Sequence, residues 1–155
     1  MTGKVRGFTL VEILIVTVII TILVGISVPR FKNTFRELEL KNASYNIYKL
    51  LLLAHERAAI EGKNFRLHIE PEKNSVQLLE EKTGEKETTV YKRAEDRFGK
   101  KMLLPEGIEL TATQPDVDCF PDGHCDTTEI RVLREKSGFS ISVFIGDITL
   151  KEISS

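Results

Sequence analysis

Two cysteines and a histidine lie close together near the carboxyl end of this 155-residue chain: Cys119, His124 and Cys125. Between the cysteines, Pro121-Asp122-Gly123 is typical of a tight turn. A disulfide across such a turn is compatible with the Cα separation of about 4.4–6.8 Å that disulfides usually require. In an oxidising compartment the residues therefore favour a disulfide between Cys119 and Cys125. A metal site is the alternative, although the three side chains have no evident fourth ligand.

Acidic residues surround the two cysteines. Residues 105–126 contain no Lys or Arg, and their acids are Glu106, Glu109, Asp116, Asp118, Asp122 and Asp126. Calcium binds about six to eight oxygens, so the four aspartates are candidate calcium ligands. Their spacing does not follow the EF-hand loop, and runs of charge usually form solvated surface. We therefore predict no metal or other cofactor, with calcium as the weaker alternative.

Glu12 is the only charged residue between Arg6 and Arg30. It lies in the apolar stretch 8–28, which as a helix is about 32 Å long and spans a bilayer core. A carboxylate near the membrane centre costs about 2.5–3.5 kcal/mol on insertion scales, so Glu12 requires a compensating partner. The other interpretation is that the acid stays protonated in lipid. The apolar stretch itself offers no cation for this pairing.

The flanks of the apolar stretch predict its orientation. Lys4 and Arg6 precede it, and positive charge stays cytoplasmic, so the carboxyl-terminal part is expected outside the inner membrane. No A-x-A-like cleavage site follows the stretch, so the helix is expected to remain as a single-pass anchor in the lipid.

Enzymatic chemistry is not indicated. His55, His68 and His124 are far apart in sequence, and no serine or cysteine lies in a recognisable nucleophile motif. The formal net charge is −1, which excludes bulk electrostatic attraction to nucleic acid. We predict that the chain is not an enzyme.

A long amphipathic helix is predicted after the apolar stretch. Pro29 removes a hydrogen bond and should kink the helix. Apolar residues then recur at steps of mainly three and four, as at Phe31, Phe35, Leu38, Ile47, Leu50, Ala54 and Ala58. The pattern predicts a helix to about Ile60 that stops at Gly62.

From Lys63 onward the periodicity changes to alternation. Seven short strands are predicted, at 65–69, 75–79, 88–91, 108–112, 128–133, 139–145 and 148–153. They predict an α+β fold in which two small antiparallel sheets pack on the helix. The predicted organisation is a leader at 1–7, a transmembrane helix at 8–28, an amphipathic helix at 29–62 and a β-rich domain at 63–155.

The string Gly7-Phe8-Thr9-Leu10-Val11-Glu12 resembles the leader junction of type IV prepilins. The resemblance implies that a prepilin peptidase cleaves between Gly7 and Phe8 and methylates the amine of Phe8. It also implies a kink at Pro29, and it supports a role for Glu12 in setting the axial register of a filament. The implied fold is type IV pilin-like.

Three further segments resemble the GspH/FimT family of minor pseudopilins and minor pilins: 53–63, 104–108 and 120–123. The resemblance implies a structural subunit near the tip of a type II secretion pseudopilus, with other pilins or pseudopilins and the inner-membrane assembly platform as partners. The alternative is a minor pilin that primes type IV pilus assembly. A DNA-binding minor pilin is disfavoured, because removal of Lys4 and Arg6 with the leader leaves 20 basic against 23 acidic residues.

Overall fold

The computed structural model describes residues 7–25, 34–82, 90–95, 98–144 and 146–153 in full. Residues 26–33, 83, 89, 97 and 154 are assigned only to their helix, strand or turn. The chain divides into two compact units, Met1–Leu38 and Glu39–Ser155, and each is described by itself.

Helix α1 comprises Leu10–Glu61. Thr9 caps its first turn, since the Glu12 N–H donates to the Thr9 hydroxyl at 3.2 Å, as the first half of a Thr-x-x-Glu capping box does. The helix ends as predicted at Gly62, whose φ of 65° is left-handed and whose N–H donates to the Ala58 carbonyl at 3.1 Å.

In the first unit every side chain from Gly7 to Gly25 is exposed. Among the described residues, no helix is both long and apolar enough to cross a membrane. The predicted span 8–28 ends in residues 26–28, and these lie outside the fully described residues, as does Pro29 with its predicted kink.

The buried stripe of α1 begins at Leu40 and consists of Leu40, Ala43, Ile47, Leu50, Leu51, Ala54 and Ala58. The prediction that Phe35 and Leu38 belong to this stripe is wrong, because they are 58% and 52% exposed. Within the second unit, Glu39 accepts a hydrogen bond from Arg134 at 3.1 Å. Helical periodicity predicts which face of the helix is apolar, but it does not predict which residues of that face are buried. Phe31 lies outside the described side chains.

Two antiparallel sheets follow the helix. The first has the order β3-β2-β1-β6, with β4 also paired to β2; its strands are β1 (Phe65–Glu70), β2 (Ser75–Thr83), β3 (Thr89–Arg93), β4 (Met102–Leu103) and β6 (Asp116–Cys119). The second has the order β5-β7-β8-β9; its strands are β5 (Glu109–Ala112), β7 (Thr128–Arg134), β8 (Ser137–Phe144) and β9 (Asp147–Ser154). Short 3₁₀ turns occur at Pro71–Lys73 and Arg97–Gly99. One hydrophobic cluster contains residues of the helix and of both sheets, which confirms the predicted α+β fold class.

Strand β6 is a correction to the prediction, because it is not among the seven predicted strands. Aspartate is depleted in strands, so the sequence carried no strand signal there. The structure nevertheless pairs β6 with β1. Val117 and Cys119 point into the core, whereas Asp116 and Asp118 are only partly covered. Burial of the two apolar side chains and ion pairing of the two acids compensate for the poor strand propensity.

The end of β1 predicts an acid-sensitive contribution to stability. Lys101 and then Lys73, whose Nζ lies 3.2 Å from the Glu70 carboxylate, lower the pKa of Glu70 from 4.5 to about 2. A carboxyl pKa that folding depresses adds stability above the unfolded value, and this is lost as pH falls through the folded value. We expect the free energy of unfolding to decline between pH 4.5 and 2, and Lys101→Met to reduce that decline.

Urea unfolding of both proteins across this pH range measures the effect. Lys136→Met is the matched control, because Lys136 is exposed in the turn between β7 and β8. Equal pH dependence in the Lys101→Met protein and the unsubstituted chain would contradict the prediction.

Candidate functional site

The amino-terminal motif precedes α1 in an open segment. Residues 7–9 are not helical, and Phe8 is 77% exposed. Apart from its chain neighbours, no atom of the described residues lies within 4 Å of the position that a Cβ on Gly7 would occupy. A peptidase requires an accessible, non-helical bond, and the bond between Gly7 and Phe8 meets that requirement.

The Glu12 carboxylate lies in the first turn of α1, where the positive end of the helix dipole favours an acid. Among the described residues, none forms an ion pair with it. The apolar side chains around it are exposed, including Leu10 at 83% and Val16 at 45%. The described part of the chain supplies no counter-charge to this carboxylate.

The predicted disulfide is present. Cys119 and Cys125 are bonded with a Cα separation of 4.1 Å, just below the expected range, and they are 0% and 3% exposed. Because both sulfurs are bonded to each other, neither is a metal ligand. The disulfide prediction is confirmed and the metal alternative is wrong.

Residues 119–125, called the disulfide loop here, form a tight turn. The Gly123 N–H donates to the Phe120 carbonyl at 3.1 Å, and the Phe120 N–H donates to the His124 carbonyl at 2.9 Å. The rings of Phe120 and His124 stack with centroids 4.4 Å apart. Gly123 has a φ of 87°, which favours glycine. The Pro-Asp-Gly signal thus predicted the turn correctly.

Two residues approach the carbonyl oxygen of Gly123: His55 by a hydrogen bond and Gly146 by close backbone packing. His55 on α1 donates from Nε2 to this oxygen at 2.9 Å. Gly146, in the turn before β9, has a φ of 81°, and a Cβ there would stand 2.6 Å from the same oxygen. The loop is therefore attached to the helix and packed against a second turn. No local signal in the sequence predicts this contact, since His55 and Gly123 are 68 residues apart.

We expect His55→Ala to lower the free energy of unfolding by about 1 kcal/mol, the usual net value of one hydrogen bond. The substitution removes the hydrogen bond from the His55 ring to the Gly123 carbonyl. Urea unfolding measures it. His55→Gln retains an N–H donor and should recover part of the loss, and an unchanged His55→Ala protein would contradict the role of His55.

The four candidate calcium ligands do not converge. Asp118 accepts two hydrogen bonds from Arg66, at 2.6 and 2.7 Å, and Asp116 pairs with Arg66 at 3.3 Å and with His68 at 2.5 Å. The backbone N–H and then the ring of His124 lower the pKa of Asp122, while Asp126 accepts from the Asp118 N–H at 3.1 Å. In the described ranges, no group of three or more His, Cys, Asp or Glu side chains is arranged to hold a metal ion. The calcium alternative finds no support in this arrangement.

Arg66 organises the outer face of the first sheet, a role that sequence reasoning missed. Its guanidinium lies 3.8 Å from the centroid of the Tyr91 ring. The bidentate bond to Asp118 raises the pKa of Arg66. The Arg66 side chain in β1 thus contacts both β3 and β6. These contacts of Arg66, Tyr91 and Asp118 stabilise the first sheet.

Residues 3–28 match the prokaryotic N-terminal methylation motif family. The amino terminus is a prepilin methylation motif. Over 105 residues, 68% of this chain, the sequence is 29% identical to type II secretion system protein H of Vibrio cholerae serotype O1. The match covers 52% of that protein, so the chain spans about half the length of the curated relative it matches.

Solved structures show the same fold. The minor pseudopilin EpsH of the Vibrio cholerae type 2 secretion system has a TM-score of 0.60 at 17% identity, over 75% of this chain and 97% of that one. The type IV minor pilin FimU of Pseudomonas aeruginosa has a TM-score of 0.56 at 11% identity, over 75% and 90%. Escherichia coli GspH has a TM-score of 0.55 at 14% identity, over 76% and 89%. The pilin-like fold and the resemblance to the GspH/FimT type are confirmed.

Proposed function

We propose that this chain is a minor pseudopilin, a structural subunit incorporated near the tip of a type II secretion pseudopilus. The observation that carries the proposal is the combination of a prepilin methylation motif at residues 3–28 with a body that has the fold of EpsH. The motif supports processing and filament assembly, and the similarity of the body to EpsH and GspH supports the H type.

Processing begins at the open segment before α1. A prepilin peptidase cleaves between Gly7 and Phe8 and methylates the new amine. Residues 8–28 anchor the chain in the inner-membrane lipid, with the leader in the cytoplasm and the body in the periplasm. The continuous exposed apolar surface from Phe8 to Val24 supports this anchor. The inner-membrane assembly platform then receives the subunit.

Glu12 sets the axial register during assembly. Its carboxylate has no ion-pair partner among the described residues, and cleavage creates a cation four residues earlier, at Phe8. In a monomer this amine lies at the start of the same helix as Glu12. In a filament it pairs with Glu12 of the adjacent subunit. Charge neutralisation in lipid then favours the incorporated state over the free one.

The role is structural rather than catalytic. In the described part of the chain, His55 contacts a carbonyl oxygen, and His68 and His124 contact aspartates. No serine or cysteine nucleophile adjoins these rings among the contacts described. Both cysteines are in the disulfide.

A clean deletion of the gene tests the proposal, scored for exported proteins in the medium and for surface pili. Loss of export with pili intact is the expected result. The similarity to FimU favours a minor pilin that primes type IV pili as the second candidate. Loss of pili with export intact would establish that role and overturn the first.

A further inference from the structure

A groove runs beside α1 in the second unit and is called the helix groove. It has a volume of about 450 Å³, and its rim follows α1 from Asn46 to Glu56, about 15 Å at 1.5 Å per residue. This length accommodates two to three turns of another helix, the geometry of helix-in-groove recognition. The apolar part of its lining consists of Leu50, Leu52, Leu53, Phe98 and Met102.

The charged residues of the helix groove are arranged in a fixed order along α1. Lys49 lies near one end and Glu56 at the other, seven residues or about 10.5 Å later and on the same side of the helix. Lys100 adds a second cation on the wall that residues 98–102 form. All three side chains are exposed, and none forms an ion pair with a described residue. The groove therefore has a charge polarity that a bound partner must match.

Charge complementarity specifies the surface of the partner helix. A helix that runs parallel to α1 needs an acid beside Lys49 and, seven positions later, a base beside Glu56. Apolar residues three and four positions after the acid lie on the same side of that helix, so they face the apolar lining of the groove. The parallel direction follows from the proposed function, because subunits that are anchored in one membrane by their amino-terminal helices share one orientation.

Helix α1 itself does not carry this pattern. Its acids Glu12, Glu37 and Glu39 are each followed seven positions later by an uncharged residue. The two other acids, Glu56 and Glu61, lie too close to the end of α1 at Glu61 for a base seven positions later in the helix. The partner that matches the groove is therefore a different chain, not a second copy of this one.

We propose that the helix groove binds one helix of a different filament subunit, with the acid of that helix beside Lys49 and its base beside Glu56. This inference rests on the proposed function, and it names the chemistry by which the body recognises its neighbour. The contact joins unlike chains, and a single helix fills the groove. It therefore ends at one neighbour and does not extend into a row of copies, as a position near the filament tip requires.

Equilibrium thiol exchange tests the charge order. The full chain with Asn46→Cys, in detergent micelles, is equilibrated in a glutathione buffer with two helical peptides, each carrying one cysteine at the end that faces position 46. The matched peptide has an acid before and a base after two leucines, and the reversed peptide exchanges the two charges. We expect about three- to fivefold more mixed disulfide with the matched peptide, as for exposed ion pairs. Both peptides have the same composition, so binding to the micelle favours neither.

Exchange of the two groove charges should invert this preference. Lys49→Glu with Glu56→Lys, placed in the Asn46→Cys chain, should give more mixed disulfide with the reversed peptide. The matched control carries Glu152→Cys instead of Asn46→Cys, at an exposed position of β9, and should show no preference. Equal yields of the two peptides at position 46, or a preference that the charge exchange leaves unchanged, would overturn the proposal.

In cells, Lys49→Glu with Glu56→Lys should reduce export about three- to fivefold while the chain is still processed. The matched control exchanges two exposed charges of β9, as Lys151→Glu with Glu152→Lys, and should leave export unchanged. Export at the level of this control would overturn the assignment of the partner as a filament subunit. Failure of these tests with export lost on gene deletion removes this inference only. A preference for the matched peptide with export unaffected by gene deletion removes the proposed function.

Discussion

Replacement of Glu12 by Gln will leave cleavage between Gly7 and Phe8 intact and will reduce incorporation into filaments by at least about a hundredfold. Removal of one partner from a buried ion pair costs about 3–5 kcal/mol, and each 1.4 kcal/mol corresponds to a factor of about ten. The Gln side chain keeps the size of Glu and the Thr9 cap of the first turn. It removes only the charge that the neighbouring amine would neutralise.

Processing and incorporation are measured separately on the same cells. Mass of the mature chain reports cleavage and methylation, and the amount of chain in sheared filaments reports incorporation. Glu72→Gln is the matched control, since it makes the same chemical change at an exposed position after β1. Incorporation of the Glu12→Gln chain at the level of this control would show that the carboxylate does not set the register.

Removal of the disulfide is expected to lower the free energy of unfolding by about 2–3 kcal/mol in the variant Cys119→Ala with Cys125→Ala. The closed loop is short, so the chain-entropy model predicts about 2 kcal/mol, and loss of two buried side chains adds to it. Urea unfolding of the full chain in detergent micelles measures the change. A reductant should lower the stability of the unsubstituted chain to a similar value and leave the variant unaffected.

The disulfide should also determine how much the His55 hydrogen bond contributes to the free energy of unfolding. The bond holds the turn that presents the Gly123 carbonyl to His55 at 2.9 Å. His55→Ala should therefore cost less in the disulfide-free chain than in the oxidised one. A double-mutant cycle measures this coupling, and strictly additive losses would show that the turn keeps its position without the bond.

Local patterns predicted those parts of the chain whose signals are short-range. The sequence Gly7 to Glu12 carried the methylation motif, and Gly62 predicted the end of α1. Alternation along β1 predicted which side chains are buried, since Phe65 and Leu67 are fully covered and Arg66 is not. Each of these features depends on neighbours within a few residues, so the sequence alone was sufficient.

Tertiary structure decided the features that depend on distant partners. Asp116 to Cys119 form a strand because β1 pairs with them and Arg66, 52 residues before Asp118, binds their carboxylates. His55 attaches the disulfide loop to α1 across 68 residues. No local pattern encodes these contacts, because their free energy exists only when remote segments are packed together. The sequence by itself determined the methylation motif, the end of α1 and the alternation of the strands, and the packed fold decided which contacts hold the disulfide loop.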